Sequence, residues 1–218
     1  SKLYTVEKLS IASTGRDISL LILRPTENAL PKEKTPGVLW LHGGGYATGM
    51  AEMAYFSRPI HLVKKYGAVV IAPSYRLSIE APYPAALEDC YAALLYLKNN
   101  ADALGINSSQ IMVGGESAGG GLCAALCMYA RDRCEVNIAF QMPLYPMLDD
   151  RDTASSRDNH APVWNTKRNH SAWKLYLGRL HGGEVPAYAA PARQTDYSGL
   201  PPAYTFVGDR EPFHCETL

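Results

Sequence analysis

The sequence predicts an α/β fold in which a mostly parallel central sheet is flanked by helices. Apolar runs typical of buried strands alternate along the chain with stretches of helical periodicity. The chain has 218 residues, of which 47% are hydrophobic and 19% are charged, as is ordinary for a folded globular protein. This length suffices to bury a sizeable core, and we expect a single domain over residues 1–218.

The first part of the chain is expected to form strands. Residues 3–13 and 17–24 are amphipathic and flank a turn at 14–16, which predicts an antiparallel hairpin at one edge of the sheet. The short apolar runs 38–41 and 68–72 predict two buried strands.

The middle of the chain alternates between helix and strand. From residue 84 the apolar side chains fall at helical spacing, and Gly105 is a natural helix end. The residues at that spacing are Leu87, Tyr91, Leu94, Leu95 and Leu97. Residues 110–114 predict a third buried strand, 118–133 a helix of small residues, and 138–142 a further strand.

A change in composition marks residues 149–196 as an excursion away from the sheet. The segment opens with a charged run, continues as polar and irregular sequence, and contains a helix-like run at 170–180. Sheet character returns at 203–207, where we expect another strand.

Charge and cysteine content argue against several classes of partner. The 21 basic and 21 acidic residues give zero formal net charge, so broad attraction to nucleic acid or to an anionic membrane is not expected. No apolar run approaches the roughly 18 residues of a membrane helix, so no stable membrane insertion is expected. Residues 1–5 hold no apolar core of a secretory signal. The 5 cysteines form no Cys-x-x-Cys pair, which predicts reduced thiols and a cytoplasmic location.

The strongest local motif is Gly115-Glu116-Ser117-Ala118-Gly119, which fits Gly-x-Ser-x-Gly. In this motif the serine occupies a sharp turn between a strand and a helix, and a Cβ at either glycine would clash with the tight backbone. The predicted strand before Ser117 and the helix after it supply that context. The helix N-terminus also places partial positive charge near a developing oxyanion.

A second motif, His42-Gly43-Gly44-Gly45-Tyr46, follows the strand that ends at Leu41. A glycine run after a strand is either a flexible loop or a set of bare N–H groups that stabilise an oxyanion. The order of the elements places this loop and Ser117 at the same carboxyl edge of the sheet, where open α/β sheets bind ligands.

Five stretches together resemble the bacterial hormone-sensitive-lipase-like esterases, a branch of the α/β-hydrolase fold. They span nearly the whole chain and comprise residues 42–45, 75–77, 83–89, 115–120 and 199–202. The resemblance implies hydrolysis of small-molecule carboxylic esters by a serine nucleophile, without a metal or an organic cofactor.

The resemblance also implies roles for particular residues. Ser117 is the expected nucleophile, and the N–H groups of Gly44, Gly45 and Ala118 are the expected oxyanion hole. His42 is expected to hold the glycine loop by hydrogen bonding. Residues 75–77 and Asp89 are expected to be polar scaffold.

Two carboxylates compete for the role of the triad acid. Alignment on Pro212 places Glu211 where the family usually has aspartate, and glutamate serves in some α/β-hydrolase triads. Asp209, two residues earlier, is the alternative. We favour Glu211.

The sequence offers no histidine at the position expected for the general base. In the family the histidine follows the acid on a separate loop, and the only histidine after Glu211 is His214, three residues on. We therefore expect that the chain is a piece of a longer enzyme whose last strand, catalytic histidine and final helix lie beyond it. The alternative is a hydrolase-fold binder or receptor of small molecules that lacks catalysis, as in the gibberellin receptors.

The excursion at 149–196 resembles part of the family's cap. Four of its aromatic residues either line a pocket or form the core of the cap, and core is the favoured interpretation; they are Trp164, Trp173, Tyr176 and Tyr188. The helical N-terminal cap of many relatives looks short or missing. We expect a fairly open site that prefers short acyl esters, from acetate to butyrate.

Overall fold

A computed structural model describes residues 3–27 and 29–218. Residues 1 and 2, on which part of the prediction about a secretory signal rests, lie outside the described residues. The strands form one sheet in the order β1-β2-β4-β3-β5-β6. They are β1 (Tyr4–Ser13), β2 (Arg16–Pro25), β3 (Pro36–Leu41), β4 (Val69–Pro73), β5 (Asn107–Glu116) and β6 (Phe140–Leu144).

The sheet has the predicted arrangement. β1 and β2 form the expected antiparallel hairpin, with β1 at one edge, and β2 also pairs antiparallel with β4. The remaining pairs, β4 with β3, β3 with β5 and β5 with β6, are all parallel. The predicted α/β fold class is therefore confirmed.

Helices cover both faces of the sheet. They are α1 (Arg58–Tyr66), α2 (Ala85–Asn99), α3 (Ala101–Leu104), α4 (Ala118–Arg133), α5 (Thr166–Leu177) and α6 (His214–Thr217). The helix predicted from residue 84 is divided at Asn100 and ends at Gly105, where φ is +69°. α1 was not expected, although Pro59 in its first turn and Gly67 after its end are ordinary helix boundary signals.

The strand expected at 203–207 does not form a regular ladder. The segment runs beside β6, where Gln141 N–H donates to Pro202 O at 2.9 Å and Tyr204 N–H donates to Gln141 O at 3.0 Å. The next contact, from Tyr145 N–H to Phe206 O, comes only after Pro143. Because proline has no N–H, the donor that would continue the ladder is missing.

Two apolar cores lie on opposite faces of the sheet. Leu20 and Ile22 of β2 join the larger core under α2, α4 and α5, whereas Leu21 and Leu23 join the smaller core under α1. All four side chains are buried, because helices cover both faces of the sheet.

A buried ion pair ties three parts of this framework together. Asp89 of α2 is fully buried and accepts hydrogen bonds from Arg76 N–H at 2.8 Å, Nε at 2.9 Å and Nη2 at 2.8 Å. Ser13 of β1 donates to Oδ1 of the same carboxylate, the oxygen that also accepts from Nη2. These are the contacts expected of scaffold residues, and they join the hairpin to α2 and to the chain after β4.

We predict that Asp89→Asn lowers the free energy of unfolding by about 3 kcal/mol, because the Arg76 charge then loses its buried partner. Urea denaturation measures the loss. Glu80→Gln, which removes the exposed partner of Arg16, is the matched control and is expected to cost less than about 1 kcal/mol. Equal losses in the two variants would contradict the scaffold role.

Candidate active site

Ser117 lies at the turn between β5 and α4 in a strained backbone conformation. Its φ and ψ are 57° and −119°, a combination that residues other than glycine rarely adopt. Three backbone hydrogen bonds of 3.0 Å hold the turn: Ser117 N–H donates to Leu144 O, and Ser117 O accepts from the N–H groups of Gly121 and Met147. Strain that is retained in this way is characteristic of functional positions.

The glycines on either side of the turn are required by close backbone contact. A Cβ atom on Gly115 would lie 2.2 Å from the carbonyl oxygen of Gly119. A Cβ atom on Gly119 would lie 2.1 Å from the carbonyl oxygen of Leu41, at the end of β3. As the motif predicted, neither position can hold a side chain, because a Cβ atom would clash with a backbone oxygen.

The glycine loop after β3 lies directly against this turn. A Cβ atom added to Gly43 would be 3.0 Å from the carbonyl oxygen of Glu116 and 3.4 Å from the Cβ atom of Ser117. β3 and β5 are neighbouring parallel strands, so their carboxyl ends meet at one edge of the sheet. The predicted meeting of the two motifs is confirmed by this geometry.

The residues expected to donate to an oxyanion lie on the two segments that flank Ser117. Gly44 and Gly45 have φ values of +123° and +60°, and Gly44 O accepts from the N–H groups of Ala47 and Thr48. Ala118 is the first residue of α4, so its N–H has no partner within the helix. The three residues expected to bind an oxyanion therefore lie on the segments that contact or follow Ser117.

His42 anchors the base of the loop. Its buried ring stacks on Tyr75, with ring centroids 4.2 Å apart, and its Nδ1 lies 2.7 Å from the carbonyl oxygen of Gly43. Tyr75 in turn donates to His42 O at 2.7 Å. Burial lowers the pKa of His42, although the Gly43 carbonyl and the negative charge of Glu52 partly oppose that effect.

The two candidate acids differ in how firmly they are held. Glu211 is half-buried, and its Oε1 accepts from Gly208 N–H at 3.0 Å. Asp209 is exposed. His214 donates its N–H to Glu211 O as α6 begins, and its side-chain Nδ1 is buried with no hydrogen-bond partner among the residues that the structure describes. Among the described residues, no histidine forms a hydrogen bond with Ser117.

A cavity of about 500 Å³ opens between the glycine loop and α5. Trp164 lies over Gly45 so closely that a Cβ atom there would be 2.3 Å from the indole ring.

Of the four aromatic residues singled out in the sequence, only Trp164 lines this cavity. Trp173 and Tyr176 are buried against Tyr46, so both are core residues, but the core that they join is the larger core of the sheet and not a separate core of the cap. Tyr188 packs on Tyr129, and its hydroxyl donates a hydrogen bond to the Asp132 carboxylate.

The wall that α5 contributes to the cavity was not predicted from the sequence. It includes Lys167, Arg168, Ser171 and Leu175. These residues line the cavity only because the 149–196 segment folds back over the sheet. The local periodicity of the sequence does not show where that happens. One signal was available: no acidic residue occurs from 159 to 183, although this stretch holds 4 lysines and arginines.

Comparison with known proteins places the chain in a family. Residues 38–218 match a family described by the alpha/beta hydrolase fold. The chain belongs to this family. The kinship with hormone-sensitive-lipase-like esterases that its motifs indicated is therefore confirmed.

Relatives of this α/β hydrolase include several esterases. It is 35% identical to Esterase LipI of Mycobacterium tuberculosis, across 82% of the chain and 56% of the relative. It is 33% identical to Carboxylesterase NlhH of the same species, across 83% of the chain and 58% of the relative. The solved structure named Bacterial Heroin Esterase superposes with a TM-score of 0.91 at 37% identity, covering 99% of this chain and 69% of that one. The chain thus spans a little over half the length of these two curated relatives.

The described part of the chain also bears on membrane insertion and metal binding. None of its helices combines the length and the apolarity needed to cross a bilayer. The histidine, cysteine, aspartate and glutamate side chains described there form no cluster suited to a metal ion. All 5 cysteines are free thiols, of which Cys123 and Cys127 are buried in α4.

We predict that His42 makes the stability of this protein depend on pH below neutrality. The unfolded histidine has a pKa near 6.5, and burial lowers the folded value, so the unfolded state binds the proton more tightly. The free energy of unfolding should therefore fall as the pH decreases from about 7 to about 5.

Urea denaturation at several pH values, with wild type and His42→Gln, measures this contribution. The variant cannot titrate, so its stability should fall less steeply than that of wild type over this range. His181→Gln, which removes an exposed histidine, is the control and should keep the wild-type slope. An unchanged slope in His42→Gln would contradict the prediction.

Proposed function

We propose that the chain carries the nucleophile and the oxyanion-binding groups of a serine carboxylesterase acting on small-molecule esters. The observation that carries this proposal is the strained Ser117 at a strand-to-helix turn, in contact with a glycine loop from the neighbouring strand. Relatives named as an esterase and a carboxylesterase support the reaction class.

In the proposed reaction, Ser117 Oγ attacks the ester carbonyl carbon and its proton passes to a general base. The N–H groups of Gly44, Gly45 and Ala118 bind the oxyanion of the tetrahedral intermediate, and loss of one such donor costs about 100- to 1,000-fold in turnover. The intermediate then expels the alcohol, which takes the proton from the base, and leaves an acyl-enzyme. Water attacks the acyl-enzyme, releases the carboxylic acid and restores Ser117.

The proposed acid of the triad is Glu211. Half-burial and the hydrogen bond from Gly208 N–H hold its carboxylate in place, whereas Asp209 is exposed. An acid that orients a base must itself be held, which supports Glu211. We assign no residue to the base itself.

We predict that a fluorophosphonate probe forms one covalent adduct, on Ser117, with protein expressed from its complete coding sequence. An activated serine reacts with such a probe, whereas an ordinary hydroxyl is a weak nucleophile at neutral pH. Intact mass spectrometry measures the adduct, which should be absent in Ser117→Ala. Ser108→Ala, at the opposite end of β5, is the matched control and should still be labelled.

Two results of this experiment would change the proposal. If folded wild-type protein gives no adduct and hydrolyses no ester, the chain belongs to a small-molecule binder on the same fold. If Asp209→Asn slows labelling far more than Glu211→Gln does, the acid is Asp209.

We also predict a preference for short acyl chains. Several residues around the cavity beside Gly45 are exposed, including Thr48, Lys167 and Leu175, so the far end of a long chain would stay in water. A methylene group contributes about 0.8 kcal/mol only when it is buried. With a series of p-nitrophenyl esters, kcat/KM should be highest between acetate and butyrate. A maximum near ten carbons would contradict the prediction.

A further inference from the structure

The cavity between the glycine loop and α5, which we call the α5 cavity, combines apolar walls with charge of one sign. Its apolar walls are Ala47, Trp164, Ala172 and Leu175. Of the residues that the structure describes, Lys167 and Arg168 are the charged ones that line it, and none of the lining residues is acidic. A cavity lined by charge of one sign raises the local concentration of ligands that carry the opposite sign.

The positive charge is a local feature. The chain as a whole has zero formal net charge. The stretch from 159 to 183 nevertheless contains Lys167, Arg168, Lys174 and Arg179 and no aspartate or glutamate. The helix that borders the cavity therefore has no acid of its own to neutralise its cations.

The two cations that line the cavity are not equivalent. Arg168 donates from Nη1 to the carbonyl oxygens of Pro162 and Val163, so its guanidinium supports the loop before α5. Within the described parts of the chain, the Lys167 ammonium has neither an ion pair nor a hydrogen bond. Lys167 is thus the cation at the cavity that is free to bind a ligand.

We propose that the α5 cavity binds the carboxylate-bearing end of an ester substrate, and that Lys167 determines this specificity. The proposal rests on the proposed function, because the cavity borders the residues assigned to the oxyanion hole. The ligand class follows from the lining: the apolar walls accept a hydrocarbon or aromatic body, and Lys167 pairs with the anion at its end. The preferred substrates are half-esters of dicarboxylic acids or esters of hydroxylated aromatic acids.

The test compares matched anionic and neutral esters, with protein from the complete coding sequence. One pair places the carboxylate on the leaving alcohol: para-acetoxybenzoate and its methyl ester. The other pair places it on the acyl group: monoethyl adipate and diethyl adipate. The variants are Lys167→Ala, Lys167→Glu and Lys174→Glu. Lys174→Glu is the matched control, since it makes the same charge change on the same helix away from the cavity lining.

For Lys167→Glu we expect kcat/KM to fall about tenfold for the anionic member of at least one pair, and less than about twofold for the neutral members. Lys167→Ala should give a smaller loss of the same kind. Lys174→Glu should leave both members within about twofold, and raising the salt from about 0.02 M to about 0.5 M should shrink the Lys167 effect. The pair that responds identifies the side of the ester that the cavity holds.

Equal losses for anionic and neutral esters, or an equal effect of Lys174→Glu, would overturn the inference while leaving the esterase proposal intact. If no ester is hydrolysed, isothermal titration calorimetry measures the binding of adipate and of para-hydroxybenzoate instead. Binding that weakens in Lys167→Glu would then support the anion site although the esterase proposal had failed. An absence of binding would overturn both.

Discussion

Backbone packed directly on backbone, where β3 and β5 end, is the constraint on which the rest of this molecule depends. The turn around Ser117 comes so close to the end of β3 that neither Gly115 nor Gly119 has room for a Cβ atom. Gly43 then brings the glycine loop against the serine itself. Closely packed protein interiors are hard to deform. The serine therefore cannot shift relative to the loop without separating β3 from β5. The site thereby acquires the rigidity of the sheet, which suits the oxyanion-binding role that we propose for it.

Hydrogen bonds offset the backbone strain that this packing imposes. A sparsely populated backbone conformation such as that of Ser117 costs about 1 to 3 kcal/mol. The three backbone hydrogen bonds at the turn, each contributing about 1 kcal/mol, offset a cost of that size. On the other side of the site, Tyr75 fixes the first residue of the glycine loop, and the adjacent Arg76 is itself fixed by buried Asp89. The loop is therefore held through a chain of contacts that leads back to α2 and β1.

The parts of the structure that the sequence predicted are those governed by local rules. The serine turn, the glycine loop and the helix over 118–133 follow from steric needs and periodicity within a few residues, and all three are present. The missing ladder at 203–207 depends on Pro143, some 60 residues away, so the run of apolar residues alone could not reveal it. The α5 wall of the cavity escaped prediction for a related reason, because its position depends on how the excursion packs against Tyr46 and Gly45. Distant contacts of this kind are set by tertiary packing, which overrides local preference.

Net charge illustrates how a property averaged over the chain can conceal one that matters at the site. A balance of 21 basic and 21 acidic residues argues against a broadly basic surface, yet it says nothing about a single helix. At ordinary ionic strength the field of an exposed charge decays over about 8 to 10 Å, so a ligand in the cavity responds chiefly to the residues that line it. The aspartates and glutamates that offset Lys167 in the net charge are absent from the lining of that cavity. In the function that we propose, close backbone contact at the sheet edge positions the reacting groups, and side chains on α5 present the charge that a substrate meets.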